Sequence, residues 1–318
     1  MTPLLLLQLP HVVTREIMNQ FELKERFLLS LCSPRAFRFV RYNQRRSEKW
    51  KLCLKYEDKK WIVCGGQLTG KRIVSMRNYA NHQKKLEPIR IGSREGVIYP
   101  TSKGFEVVIG KNERTAFKLL VDYMWFLFYK LPTVIHTSPG NLWMVRMYRS
   151  PLDQIHIHST NHPLNWEEIK KAFEGCQATV LRLDAEPEGF PEPVDFGSIK
   201  GIFVERRKIL FTMELISLAR SCQVIHATTV QLMDLNLFIK EWMQGNMKQF
   251  RFMVVHFEKM VFPRIFEDLQ VFVVTKPMKF VFNGRVFKIK PGMRIIRRRD
   301  GKVLVVELTE RRLVVTVI

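Results

Sequence analysis

Residues 9–40 read LPHVVTREIMNQFELKERFLLSLCSPRAFRFV, and this stretch decides how the chain begins to fold. An apolar side chain recurs at every fourth position of its first half, which places Leu9, Val13, Ile17 and Phe21 on one helix face. Pro10 suits the first turn of this helix, because the backbone amide that proline lacks would be unpaired there. A second apolar group precedes Pro34, which breaks the helix; its members are Leu23, Phe27, Leu28 and Leu31. We therefore predict a small helical segment.

Beyond this segment the apolar period changes from helical to extended. Residues 50–56 and 61–64 flank a polar sequence and predict a β-hairpin. Residues 71–112 predict only short strands. Residues 115–131 are rich in apolar side chains and predict a helix that Pro132 ends.

The middle of the chain holds a weak strand–helix repeat. Strand-like runs start near residues 155, 179, 201, 224 and 250, at intervals of roughly 22 to 26 residues, within the leucine-rich-repeat range. Helical runs lie between most of them, at residues 166–175, 211–222 and 234–245. We expect an irregular, leucine-rich-repeat-like α/β stack over residues 155–258.

Two hairpins are predicted near the carboxyl terminus. Asn283-Gly284 supplies the positive φ angles of a type I′ turn, and Asp300-Gly301 joins a second pair of strands. With the last strand, residues 313–318, they predict a terminal antiparallel sheet over residues 270–318. The predicted fold class is mixed α/β (α+β): small amino-terminal helices, then an α/β domain flanked by antiparallel hairpins.

The composition is that of a globular protein of about two domains, except for its charge. The chain has 318 residues, is 46% hydrophobic and carries a formal net charge of +22. Such a charge favours acidic partners: nucleic acid, an anionic surface or an acidic protein. Five cysteines without metal-ligand spacing indicate reduced thiols, and no stretch approaches the roughly 20 apolar residues of a membrane span. We expect a cytoplasmic or nuclear protein that does not associate with a membrane.

The amino-terminal segment resembles an F-box. The likeness covers residues 4–43 and consists of the initial Leu9-Pro10, a helix through Ile17, the run Phe27-Leu-Leu-Ser-Leu-Cys-Ser33, and the basic residues that follow. Two positions depart from the family pattern: Arg26 stands where leucine is usual, and Pro34 stands where a basic residue is usual. So small a segment leaves apolar side chains uncovered, and these can dock in the groove of a partner.

A second likeness lies far along the chain. Residues 234–245 read DLNLFIKEWMQG and resemble the signature of the type 2 F-box-associated domain of the large nematode F-box family. Residues 297–302 resemble the end of that domain. The pattern also predicts local structure: Asp234 is a candidate N-cap and Gly245 a candidate C-cap. A buried helix stripe is predicted at i, i+3, i+4 and i+7, namely Leu235, Phe238, Ile239 and Trp242.

These resemblances imply a substrate-recruiting adaptor of a Skp–cullin–F-box ubiquitin ligase, with no enzymatic activity and no cofactor or metal of its own. The F-box, residues 1–45, would bind a Skp-type adaptor and through it a cullin. The F-box-associated domain, residues 46–318, would hold a protein substrate. The residues expected to contact the adaptor are Leu9, Pro10, Val13, Ile17, Leu29 and Leu31.

Other interpretations stay open. Residues 35–60 carry ten lysines and arginines against three acids, with aromatic residues among them, so nucleic-acid binding is the main alternative. A protein-interaction scaffold without ligase assembly is another, because of Arg26. The sequence GGQLTGKR at 65–72 approaches a phosphate-binding loop but lacks its Ser or Thr. His156 and His158 share a strand face, and we expect no metal there.

Overall fold

The computed structural model describes residues 9–43, 50–66, 71–77, 86–102, 104–110, 112–148, 151–158, 165–173, 176–184, 199–205, 212–230, 234–257, 265–282, 285–309 and 311–318. The chain folds into two compact units. The first contains Met1–Thr137 and Trp143–Leu152, and the second contains Ser138–Leu142 and Asp153–Ile318. The fold is mixed α/β, with three amino-terminal helices followed by strand-rich structure, as predicted.

The first unit begins with the three helices and continues into a sheet. The helices are α1 (His11–Gln20), α2 (Leu23–Leu31) and α3 (Pro34–Tyr42). The sheet order is β7-β1-β2-β3-β6-β5-β4, with these bounds: β1 (Lys51–Glu57), β2 (Lys60–Gly66), β3 (Lys71–Met76), β4 (Glu87–Ile91), β5 (Arg94–Thr101), β6 (Gly104–Val108) and β7 (Pro132–Thr137). The predicted hairpin at residues 50–64 is confirmed, because β1 and β2 pair antiparallel.

The central helix of the first unit is α4 (Glu113–Phe128). Asn112 caps its amino terminus by accepting a hydrogen bond from the Thr115 amide, and Tyr129 ends it in the left-handed conformation. One face of α4 is fully buried: Ala116, Phe117, Leu120, Val121, Met124, Leu127 and Phe128. The predicted helix is thus confirmed, but its predicted end is wrong: Tyr129 ends the helix, and Pro132 begins β7. The short helix α5 (Trp143–Met147) packs against β7.

The second unit contains the predicted alternation of strands and helices. Its strands are β8 (Leu152–His158), β9 (Ala178–Asp184), β10 (Gly201–Val204), β11 (Val224–Val230) and β12 (Phe252–Phe257). Strands β9 to β12 run parallel. The helices between them are α6 (Trp166–Phe173), α7 (Thr212–Ser221) and α8 (Leu235–Met243). Leucine-rich-repeat character beyond this alternation stays a prediction.

The carboxyl-terminal part of the second unit is antiparallel. Its strands are β13 (Val271–Val273), β14 (Met278–Phe282), β15 (Arg285–Ile289), β16 (Arg294–Arg297), β17 (Val303–Leu308) and β18 (Arg312–Val317). Strand β18 pairs with β12, so the sheet order is β8-β9-β10-β11-β12-β18-β17-β16-β13. Strands β14 and β15 pair as predicted, although their turn, Asn283-Gly284, lies outside the described residues. Gly301 has a φ of 85° in the predicted turn before β17.

The predicted domain boundary between residues 45 and 46 stays a prediction. The three helices lie in the same compact unit as the sheet that follows them. A close approach explains part of this packing: a Cβ atom on Gly65 in β2 would lie 2.5 Å from Leu23 Cδ1 in α2. Only a glycine leaves room for α2 to come this near to the strand without a shift of the leucine.

Candidate protein-docking site on the amino-terminal helices

Local sequence sets the ends of the three helices. The helix α1 starts after Pro10, whose carbonyl accepts a hydrogen bond from the Thr14 amide. The helix α2 has a capping box, because the side chains of Glu22 and Glu25 each accept a hydrogen bond from the other's backbone amide. Ser33 caps α3 by accepting a hydrogen bond from the Ala36 amide. Such caps satisfy amides that have no partner inside a helix.

The buried side of the three helices is mixed in character. The apolar members are Met18, Phe27, Ala36 and Val40, and the polar members are Thr14, Arg26 and Ser30. The Thr14 hydroxyl donates to backbone carbonyl oxygen at Pro10 or His11, 2.9 and 3.0 Å away. Such bonds remove much of the free-energy cost of burying a polar group. The buried side of the helices therefore includes polar groups that have hydrogen-bond partners.

Tyr123 on α4 holds α2 and α3 against the rest of the first unit. Its ring makes an edge-on contact with Phe27 at 6.1 Å and a tilted contact with Phe37 at 5.1 Å between ring centroids. Its hydroxyl shares a 2.8 Å hydrogen bond with the Ser30 hydroxyl. Burial raises the pKa of Tyr123 to about 12, so the phenol stays neutral at physiological pH. Aromatic pairs of this geometry add to the apolar burial of α2 and α3.

None of the six residues predicted to contact an adaptor is fully buried. Pro10 and Val13 are exposed, and the other four are half-buried: Leu9, Ile17, Leu29 and Leu31. On α1 the predicted stripe runs beside the buried pair Thr14 and Met18, so it borders solvent. These side chains are apolar and accessible, which is what a docking surface requires.

Sequence periodicity missed Val12 on α1, whose side chain is 73% exposed. It falls outside the four-residue stripe that Leu9, Val13 and Ile17 form. Its position next to Val13, which is 43% exposed, widens the apolar surface of α1.

The structure divides the predicted residues of α2 between two flanks. Phe27 and Ser30 are buried toward the unit's core. Leu29 and Leu31 are two positions apart, so they point about 160° away from each other around a helix of 3.6 residues per turn. Leu31 borders an open groove that α3 and α4 also line. Leu29 therefore lies on the opposite flank.

Arg26 is part of the core and does not occupy the accessible surface. Its side chain is 5% exposed, and its Nε donates a 3.0 Å hydrogen bond to the Phe21 carbonyl oxygen. This bond links α2 to the segment that ends α1. The other departure from the family pattern, Pro34, occupies the first position of α3, where proline is well tolerated. Both departures thus have structural explanations.

A comparison with family models agrees with this geometry. The model of the F-box domain matches residues 6–48, which include all three helices. The chain contains an F-box domain. No curated protein and no solved structure matched the chain. The F-box match supports binding to a Skp-type adaptor, and through it to a cullin.

The second unit contains the other predicted signature, α8, with the predicted caps. The Asp234 side chain accepts a hydrogen bond from the Leu237 amide, and Gly245 follows the helix with a φ of 86°. All four residues of the predicted stripe are buried: Leu235, Phe238, Ile239 and Trp242. These side chains therefore stabilise the unit and are not available to a partner.

The segment 297–302 lies directly against the end of α8. Arg298 is 7% exposed, its Nη1 donates a 2.9 Å hydrogen bond to the Trp242 carbonyl oxygen, and its guanidinium stacks on the Trp242 ring at 4.8 Å. Its Nε and Nη2 donate to Asp300 at 2.8 and 2.6 Å. The Arg298 guanidinium is the largest cause that lowers the pKa of Asp300 to about 2. The two stretches that resemble one domain signature thus contact each other.

The remaining sequence patterns are the histidines of β8 and the glycine-rich sequence at residues 65–72. The His156 ring nitrogen Nε2 lies 2.6 Å from Asp184 Oδ2, and the rings of His156 and His158 are 5.9 Å apart. No group of three or more potential metal ligands occurs among the described residues. Residues 67–70 of the glycine-rich sequence lie outside them. Within the described part of the chain, no helix is both long and apolar enough to span a membrane.

Proposed function

We propose that this chain is a substrate-recruiting adaptor of a Skp–cullin–F-box ubiquitin ligase. Its F-box would bind the Skp-type adaptor through the accessible apolar residues of α1 and α2. The strand-rich remainder would hold a protein substrate. The observation that carries the proposal is the F-box match over residues 6–48 together with the accessibility of all six predicted contact residues.

The proposed role involves no chemistry by this chain. A ligase subunit of this kind acts by effective concentration, because it holds a target lysine close to the ubiquitin-loaded enzyme. The site of action would be the cytoplasm or nucleus, where the other ligase subunits work.

We also infer that the remainder of the chain is a type 2 F-box-associated domain of the nematode kind. The support is local. Residues 234–245 form a capped helix with the buried stripe that the signature predicts, and residues 297–302 contact its last turn through Arg298. Because the two signature segments contact each other through Arg298, we expect a domain of this kind to contain both.

The first test measures adaptor binding by the full chain. Val13→Glu places a charge on the exposed face of α1, where the side chain is 43% exposed, so the fold should tolerate it. Docking in an apolar groove would be lost, because a buried unpaired carboxylate is costly. We expect pulldown of a purified Skp-type adaptor by the wild-type chain and at least a tenfold weaker affinity for the variant, about 1.4 kcal/mol.

Met213→Glu is the matched control. Met213 is an exposed apolar residue on helix α7 of the second unit, 49% exposed, so the same negative charge replaces an exposed apolar side chain outside the F-box. Adaptor binding should be unchanged. The proposal fails if the wild-type chain does not bind the adaptor, or if both variants lose binding equally.

A further inference from the structure

We propose that the groove bordered by α2, α3 and α4 is a second docking site, for an acidic peptide segment of a protein partner that carries apolar side chains between its acids. This site lies in the first unit and differs from the exposed face of α1, although its border includes Leu31, one of the six predicted adaptor contacts. It does not depend on adaptor binding, so the two proposals can fail separately.

The size of the groove favours a peptide. It is an open cleft of about 1130 Å³, larger than the roughly 300–1,000 Å³ that is usual for small-molecule sites. Its sides come from three separate parts of the chain: the end of α2, the length of α3, and the exposed side of α4. Arg90 on β4 also borders it. Secondary structure therefore supports the cleft on every side.

The charge of the groove is strongly positive. Arg38, Arg41 and Arg90 line it, whereas Asp122 is the only acid among the lining residues that the structure describes. Asp122 already forms an ion pair with Lys118, at 3.5 Å. Arg38 and Arg90 are exposed, so their guanidinium groups are available to carboxylates, which arginine binds in a two-point geometry. Charge complementarity thus selects an acidic occupant.

The apolar part of the groove adds a second requirement. Phe126 is 49% exposed and Tyr42 is 80% exposed, and Leu31 borders the same cleft. Aromatic residues and arginine are the types that contribute most to binding at protein interfaces. An occupant that buries these side chains needs apolar groups as well as carboxylates.

Arg41 supplies a buried hydrogen-bond donor inside the groove. Its guanidinium lies over the Tyr129 ring at 4.6 Å, and its buried Nε makes no hydrogen bond to any residue of the described chain. Buried donors in native proteins nearly always have a partner.

Nucleic acid fits the groove less well than a peptide. Proteins that bind single strands stack successive bases on free aromatic faces. Here the rings of Phe37 and Tyr123 pack against each other and the Arg41 guanidinium covers Tyr129, which leaves Tyr42 and Phe126 as the exposed rings among the described lining residues. A continuous row of open rings is therefore absent from the described surface of this groove.

The test uses a short fluorescein-labelled peptide in which glutamate alternates with phenylalanine, and fluorescence anisotropy with the full chain at about 0.15 M salt. The groove variant is Arg38→Glu with Arg90→Glu. The matched control is Arg35→Glu with Arg94→Glu, because Arg35 is also on α3, Arg94 begins the strand that pairs with β4, and both are exposed outside the groove. Both variants change the net charge equally.

We expect saturable peptide binding that weakens about tenfold or more in the groove variant, roughly 1.4 kcal/mol, and less than about twofold in the control. A peptide with glutamine in place of glutamate should bind as poorly as the groove variant binds the original. Equal losses in both variants would mean that only overall charge matters and would overturn the proposal. So would the absence of saturable binding, or tighter binding of labelled oligouridylate that the groove variant alone abolishes.

Discussion

Replacing Arg298 with methionine should destabilise the second unit in a way that replacing its neighbours does not. In the run Arg297, Arg298 and Arg299 the middle residue is buried and the outer two are exposed. Methionine is apolar and flexible, so it fills much of the same space. The substitution removes the guanidinium and with it the hydrogen bond to the Trp242 carbonyl oxygen.

The magnitude follows from the groups left behind. The Trp242 carbonyl would keep the Gly245 amide as a donor at 3.0 Å, so the loss is that of one hydrogen bond from a charged donor, about 1.5–3 kcal/mol. Loss of the guanidinium from the Trp242 ring removes about 0.5–2 kcal/mol more, because the pair is shielded from water. The ion pair with Asp300 is left out, since that carboxylate is half exposed and solvent screens it. The expected loss is about 2–5 kcal/mol in the free energy of opening.

Amide hydrogen exchange of the full chain measures this loss locally, which matters because two compact units need not unfold together. The amide protection factors of residues 235–243 should fall roughly thirty- to four-thousandfold in Arg298→Met, at about 1.4 kcal/mol per tenfold change. The controls Arg297→Met and Arg299→Met should stay within about 0.5 kcal/mol of the wild type. Arg298→Lys should be intermediate, because lysine keeps the charge but not the planar fork.

If Arg298→Met and Arg299→Met lost protection equally, the buried guanidinium would not be what holds α8 to this hairpin. The same conclusion would follow if the loss in Arg298→Met were spread evenly over the first unit. Protection of α4, residues 113–128, is the internal reference, because that helix belongs to the other unit.

Two further predictions concern single side chains. Asp300 has a pKa lowered to about 2 from a usual 3.8, so the stability that its carboxylate contributes is fully present above pH 3.8 and is lost as the pH falls toward 2. NMR titration of its carboxyl carbon and acid unfolding of Asp300→Asn check this. A titration midpoint of the carboxyl carbon near pH 3.8 would contradict it. Tyr123→Phe removes the hydrogen bond to Ser30 and should lower the free energy of opening of α2, measured by amide hydrogen exchange, by about 0.5–1.5 kcal/mol. The control is Tyr99→Phe on β5, which should leave hydrogen exchange in α2 unchanged.

Local patterns in the sequence predicted local structure well. The stripe of α8 was read from a spacing of three and four residues, and all four of its members are buried. On α1 the same method selected Val13 and Ile17, yet Thr14 and Met18 are the buried residues. The polar hydroxyl of Thr14 excluded it from an apolar pattern, although its hydrogen bonds to nearby carbonyl oxygens permit burial.

Contacts between distant parts of the chain could not be predicted in this way. The groove combines residues near 31, 38, 90 and 126, and Arg298 contacts a carbonyl 56 positions away. Such contacts depend on the order of strands in a sheet, and this order cannot be derived from a single sequence. The burial of Arg298 had a faint signal, because Ile296 and Arg298 share one face of an extended chain.

The two proposed docking surfaces share Leu31, so the binding of one partner can compete with the binding of the other. The α1 face and Leu29 lie away from the groove, whereas Leu31 is on both the predicted adaptor surface and the groove border. An adaptor that covers only α1 and the Leu29 flank leaves the groove open, so both partners can bind at once and their free energies add, as they do for sites without shared contacts. An adaptor that also covers Leu31 must compete with the acidic peptide. Competition therefore depends on how far the adaptor reaches around α2.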